Sequence, residues 1–253
     1  MGRGPGAAGG LHTHASTPVH RLAPEVKIVA TLAYVGVVVV TPWRLWWMFA
    51  VHAAIVVVAA ALARLPARLL LRGLRVDLPF LAFAALLPLF GSDPRVEVLG
   101  LSLSQPGLVA AGTIACKSLL GLTASLVLVA TTPVTDLLAG LERLRVPSVL
   151  VSIAGFMVRY LDLIVDDAER ARVARLSRCD DPRWLWQARA VAATAGTLFV
   201  RSYERGERVH LAMLARGYDG TMPRGRHRSA SPGEWAAACA LPVLGALTLV
   251  AVW

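Results

Sequence analysis

The sequence predicts an all-α membrane protein with about five transmembrane helices plus a cytoplasmic arm of amphipathic helices. Three observations predict it. Of the 253 residues 56% are hydrophobic and 17% charged, and mean hydropathy is +0.60, too apolar for one soluble domain of ordinary composition. Long runs carry no charge, and a bilayer-spanning helix needs about 20 mostly apolar residues. Charge is segregated: residues 133–234 hold 16 arginines and 12 acidic residues, more than half of all the charge in the chain. The net charge of +10 therefore marks cytoplasmic loops rather than a nucleic-acid surface. Only Lys27 and Lys117 are lysines, so the positive charge is almost all arginine, the residue suited to forked carboxylate pairing.

Residues 1–25 are rich in Gly, His and Pro and read as an N-terminal cytoplasmic tail, without the apolar stretch and cleavage site of a signal peptide. Residues 26–132 form a membrane domain of four spans. The first runs from Val26 to Val40 with Lys27 at its mouth, and Thr41 and Pro42 break it before a second from Trp43 to Ala63, a tight helical hairpin. The third, Leu78 to Phe90, is short and interrupted by Pro79 and Pro88; the fourth covers Leu108 to Ala130. A fifth span, residues 235–253, closes the chain. Trp43, Trp46, Trp47 and Trp235 sit at span ends, where amphipathic rings favour the headgroup layer. Orientation follows from Arg64, Arg68, Arg72 and Arg75, because short cytoplasmic loops carry the excess of basic residues. The N-terminus is then inside, residues 91–105 are outside, and the fourth span descends to the cytoplasm at Thr131 and Thr132.

Residues 133–234 are built differently. Ser148 to Val165 and Trp184 to Val200 are apolar enough to suggest spans, but Arg159 and Asp162 lie inside the first and Arg189 inside the second. Each charge costs roughly 2.5 to 3.5 kcal/mol at a bilayer centre, so amphipathic helices at or under the membrane surface are expected instead. Asp166 to Arg178 is a charged helical run without Gly or Pro, ended by Asp180, Asp181 and Pro182. A further helix runs from Arg201 to Ala215 and stops at Gly217, a C-terminal breaker. Arg159 is read as an interfacial residue or a partner of Asp162 or Asp166.

This arm repeats one theme, a small residue, an arginine and a second small residue at a helix end. Ser177-Arg178-Cys179 is one copy and Ala215-Arg216-Gly217 the other. Small flanks leave the arginine fork unshielded, free to enter a groove and meet a carboxylate in bidentate fashion. That is a docking geometry.

Enzymatic chemistry is missing. Lys117-Ser118 follows Cys116 rather than a glycine-rich loop, so no phosphate-binding Walker motif is encoded. The common zinc-peptidase and serine-hydrolase signatures are absent as well, and no cofactor is expected. Cys116, Cys179 and Cys239 are scattered and support neither a disulfide framework nor a zinc site. His12 and His14 with His20 form only a weak chelating set in a tail, so no metal site is assigned. His52 and His210 are expected to be packed, hydrogen-bonded side chains. Lys117 is read as interfacial, with an ion pathway as its alternative. Arg224, Arg226, His227 and Arg228 precede the last span and read as a juxtamembrane patch facing anionic lipid, with no nucleic acid implied.

The residues carry a resemblance. Ser16-Thr-Pro-Val-His20-Arg21-Leu22-Ala-Pro24-Glu-Val-Lys27 is similar to the opening of the transmembrane (T) component of energy-coupling-factor transporters, of the cobalt-transport CbiQ type. Ala23 and Glu25 depart from that pattern. The stretch Leu141 to Pro147, then Met157-Val-Arg159-Tyr160, then Asp167-Ala-Glu169-Arg170 leading to Arg178, resembles the first coupling region, with Ser177 and Cys179 in place of the usual Ala and Gly. Tyr203 to Tyr218, including Arg205, Ala212, Met213 and the Ala215-Arg216-Gly217 end, matches the second closely. The resemblance implies a non-catalytic subunit that joins two cytoplasmic ABC-type ATPases to a substrate-binding membrane (S) subunit. The two arginine ends would insert into grooves on the ATPases, supported by Pro147, Arg159, Glu169, Arg205 and Met213. Cobalt or nickel uptake is the expected function. A vitamin-type T component is the alternative, and a self-contained ion-coupled carrier a further one, disfavoured because the spans hold few ionisable residues.

Overall fold

The computed structural model describes residues 17–91, 94–98, 101–178, 188–220 and 230–250. They fall into two compact units, one from the described parts of Leu11–Leu144 and His227–Trp253, the other from Arg145–Arg226.

In the first unit, α1 (Pro18–Arg21) leads to α2 (Pro24–Val40), and a 3-10 turn at Trp43–Leu45 opens α3 (Trp46–Leu62). Then follow α4 (Ala67–Leu74), a 3-10 turn at Arg75–Asp77, α5 (Leu78–Phe90), the hairpin β1 (Arg95–Val98) and β2 (Leu101–Ser104), α6 (Gln105–Thr131) and α7 (Val134–Arg143). After the second unit the chain returns as α10 (Pro232–Val250). Proline sits in the first turn of α1, α2, α5 and α6, where its missing N–H leaves no bond unmade. Ser231 and Glu234 cap α10 reciprocally: Ser231 N donates to Glu234 Oε2 at 2.7 Å and Glu234 N to Ser231 Oγ at 3.3 Å.

The core of this unit is Tyr34 and Val38 of α2, Phe49 and Val56 of α3, and Leu120 and Ala124 of α6. Helix α6 packs against α2, α3, α4 and α5, while α10 packs against α2 and α3. At the α5–α6 crossing Gly107 has no side chain to spare, because a Cβ there would stand 2.7 Å from Leu87 O and 2.8 Å from Pro88 Cα. Several buried polar groups bond across these helices. His52 Nε2 lies 3.3 Å from Thr41 Oγ1, and the His52 carbonyl accepts from the Tyr34 hydroxyl at 3.0 Å. Lys117 Nζ donates to Val39 O at 2.6 Å, near the carbonyl end of α2, where a cation is favoured.

A polar knot fastens the start of α2. Lys27 Nζ donates to His20 O, Thr131 O and Thr132 Oγ1 at 3.1 to 3.2 Å. Glu25 Oε1 accepts from Arg143 Nη1 at 2.9 Å and from Ala230 N at 3.1 Å. Helix α7 therefore packs on α2 and belongs to this unit, and the other unit begins at Arg145.

Among the described residues four segments are long and apolar enough to cross a membrane: 43–62, 68–90, 105–131 and 148–176. Helix α2 is apolar too, with 17 residues. The 68–90 segment is longer than its sequence suggests, because α4 and the Arg75–Asp77 turn extend it. Asp77, buried in that turn, accepts from Ser118 Oγ at 2.9 Å. Residues 95–98 and 101–104 pair as two antiparallel strands, which the sequence did not predict. At their end, Ser104 caps α6 by accepting from Gly107 N at 3.2 Å.

Candidate functional site

The second unit is built on α8 (Ser148–Leu176) and α9 (Ala188–Ala215). Four separate stretches in the sequence thus become two long helices. The apolar run 148–165 and the charged run 166–178 join without a break, since nothing between them interrupts backbone hydrogen bonding. The parts of 184–200 and 201–215 that are described join in the same way. Neither helix buries a residue, and α8 leaves Leu150, Ile153, Met157, Leu161 and Ile164 exposed along one face.

The two helices pair antiparallel. Asp167 of α8 accepts from Arg205 Nη2 of α9 at 3.1 Å and also pairs with Arg170. Those two guanidiniums, Arg170 first, hold the Asp167 carboxyl below the usual carboxylate range. On one side of this bridge Phe156 and Tyr160, stacked with ring centroids 6.4 Å apart, face Met213 and Tyr218. On the other side Ala174 and Arg178 face Thr194 and Thr197. Arg178 and Arg216 thus occupy opposite ends of the pair, about 30 Å apart at 1.5 Å per helical residue.

The Arg216 end is a complete Schellman cap. Gly217 adopts φ +82, its N–H donates to Leu214 O at 3.0 Å, and Tyr218 N donates to Met213 O at 3.0 Å. Ala215 is the last helical residue, so Arg216 projects from the turn itself. It shares a groove of about 640 Å³ with Arg159, Tyr160, Met213 and Asp219. The Arg178 end is plainer: Ser177 N and Ser177 Oγ both donate to Val173 O, and Arg178 N to Arg175 O. Cys179 lies outside the described residues, as do His12, His14 and the Arg224 to Arg228 patch. Both Arg178 and Arg216 are exposed, and neither guanidinium has a recorded hydrogen bond or ion pair among the described residues.

Of the supporting residues, Pro147 precedes α8 and Glu169 pairs with Arg172 at 3.4 Å on the surface. Arg205 holds the interhelical bridge, and half-buried Met213 lines both the Arg216 groove and a neighbouring apolar groove of about 410 Å³ with Phe156 and Ile164. Arg159 is exposed and pairs with neither Asp162 nor Asp166. His210 lines the apolar groove with Met213. Sequence reasoning named Asp167 and Arg205 separately without joining them, and it passed over Arg175. No group of His, Cys, Asp or Glu among the described residues could hold a metal ion.

Residues 15–227 match the family described as cobalt transport protein, CbiQ. The chain belongs to that family. It is 25% identical to the energy-coupling factor transporter transmembrane protein EcfT of Listeria innocua over 93% of both chains. It is 28% identical to the protein of the same name from Acidaminococcus fermentans, over 92% of this chain and 91% of that one. It is 32% identical to the cobalt transport protein CbiQ of Rhodobacter capsulatus over 59% of this chain and 64% of that one. The chain is thus a T component of the CbiQ type and a membrane protein, and within this family both long helices of the arm fall inside the matched residues.

Proposed function

We propose that this CbiQ-family protein is the coupling subunit of an ATP-driven importer, joining two cytoplasmic ATPase subunits to a substrate-binding membrane subunit for uptake of cobalt or nickel. It is not itself an enzyme; its partners hydrolyse ATP. The observation that carries this reading is the arm: two long antiparallel helices, each ending in an exposed arginine without a recorded partner among the described residues, at opposite ends of the pair. Such a unit can engage two subunits at once, and engagement at both ends gains the avidity of a linked pair of sites. Arginine forks entering grooves would meet carboxylates there, and closure of the ATPase pair would move the two ends together. The N-terminus and the arm are cytoplasmic in this reading, on the argument of the Arg64 to Arg75 loop.

Coexpression with candidate ATPases and a substrate-binding membrane protein tests it. The purified complex should contain all of them, and cells carrying it should accumulate radioactive cobalt or nickel in an ATP-dependent way. Purification of the chain free of ATPases would overturn the proposal. A T component serving vitamin-binding subunits is the second reading, favoured by the full-length similarity to proteins named EcfT. Uptake of a vitamin and not of metal by the same complex would select it.

A further inference from the structure

We propose that Glu25 is a positioning residue that ties both attachments of the arm to the start of α2, so that movement of the arm is delivered to the membrane helices at one point. The inference rests on the coupling role proposed above and names where in this chain the motion enters the spans. The chain leaves the first unit after Leu144 and re-enters it at His227. Arg143 stands beside the exit, and Ala230 lies just past the re-entry. Glu25 Oε1 accepts from both, from Arg143 Nη1 at 2.9 Å and from Ala230 N at 3.1 Å. One oxygen atom thus holds two segments that are far apart in sequence.

The surroundings make this a grip rather than a surface contact. Glu25 is 5% exposed, and both bonds fall on Oε1, while Oε2 is buried with no hydrogen-bond partner among the described residues. A buried ion pair satisfied in this one-sided way adds little stability over apolar side chains of the same volume, so what it contributes is geometry. Gly140 of α7 lies on the same turn: a Cβ there would stand 3.0 Å from Glu25 N and 3.1 Å from Pro24 C, so α7 rests on the α2 backbone itself. Two residues along α2, Lys27 Nζ donates to Thr131 O and Thr132 Oγ1 and fastens the chain just ahead of α7. Beyond Ala230, the reciprocal cap of Ser231 and Glu234 fixes the first turn of α10. A displacement of either attachment therefore reaches α2, and through it α6 and α10, which pack against it. Glu25 departs from the family's opening pattern, so the shared acceptor is a property of this chain.

The test compares uptake with ATP hydrolysis in vesicles holding the complete transporter, using whichever radioactive substrate it accumulates in the assay above. Glu25→Ala should lower uptake per ATP hydrolysed about 10-fold, the scale of a lost charge-assisted hydrogen bond, with ATPase retention unchanged. Gly140→Ala pushes α7 off the turn without altering a charge and should lower the ratio in the same direction. Arg143→Lys keeps a charged donor and should lose less than Arg143→Gln; these and the Gly140 variant decide the matter if Glu25→Ala does not insert. The exchange Glu25→Arg with Arg143→Glu restores the ion pair but offers Ala230 N no acceptor. It should therefore raise thermal stability above that of Glu25→Ala and leave the ratio low. Recovery of the ratio by the exchange would mean that one attachment suffices, and would overturn the proposal. So would a wild-type ratio in the Gly140→Ala and Arg143→Gln variants, or a fall in uptake matched by an equal fall in ATP hydrolysis, the mark of a merely structural contact. Those results leave the coupling role standing; wild-type uptake in Arg178→Ala with Arg216→Ala would overturn that role instead.

Discussion

Replacing Gly217 tests whether the shape of the α9 end matters to the arginine it presents. Gly217 holds φ +82 in the Schellman turn, and a Cβ built there meets no atom within 4 Å. Space is therefore not the constraint; the backbone is. An L residue in the left-handed region costs roughly 1 kcal/mol, so Gly217→Ala should shift the capped turn about fivefold toward frayed or continued helix. Either change moves Arg216 and separates Tyr218 from Met213. Asn visits this region more readily than Ala, and a β-branched residue is a true outlier there. Retention of ATPase and substrate uptake should thus decline in the order Gly217→Asn, Gly217→Ala, Gly217→Val. Wild-type retention in the valine variant would refute the reasoning, since Arg216 would then dock whatever the turn. Equal losses in the asparagine and valine variants would mean that the bare backbone, not its conformation, is what the partner needs.

Further predictions concern the arm, the topology and the knot at α2. Asp167 has its folded pKa depressed below the ordinary 3.8, so its pairing contributes fully above that value and is lost as pH falls through the folded value. Limited proteolysis of the arm should be flat from about pH 5 to 8, and Asp167→Asn should speed cleavage across that whole range. Cysteines at the exposed positions Ser148 and Glu97 should react with an impermeant reagent from inside and outside respectively, and labelling of Ser148→Cys from outside would reverse the topology. Glu25→Ala should destabilise by about 2 kcal/mol, because Arg143 and Ala230 N lose their shared acceptor. Exchange of the two charges, Glu25→Arg with Arg143→Glu, should recover part of that in a thermal-shift measurement.

The end of α9 was legible because Gly after a periodic run is a helix stop, and the cap has that form. The apolar helices were legible from uncharged length alone. The interhelical bridge was not: within one helix spacing reveals pairs such as Glu169 with Arg172, but nothing local links Asp167 to a residue 38 positions away. Glu25 looked like a departure from the family's opening pattern, yet it is satisfied by Arg143 and Ala230, both distant in sequence. The hairpin at 95–104 escaped because its strands have four residues each, too few for alternation to stand out between apolar helices. Arg159 drew attention as a charge in an apolar run, and the nearby Asp162 and Asp166 suggested a local partner. In the folded arm it faces the Arg216 groove instead, which only the return of α9 along α8 creates.

The measurement that bears most directly on the central claim is substrate uptake together with ATPase retention in the double variant Arg178→Ala with Arg216→Ala. Both guanidiniums are exposed and have no recorded partner among the described residues, so their loss should leave the fold intact and remove only what they present to other molecules. Each single change should weaken retention, the double change should abolish uptake with the chain still inserted, and Arg216→Lys should recover little, because an ammonium cannot make the two-pronged pair. Full uptake by the double variant at normal expression would contradict the account and reduce the two arginine ends to ordinary solvated helix termini.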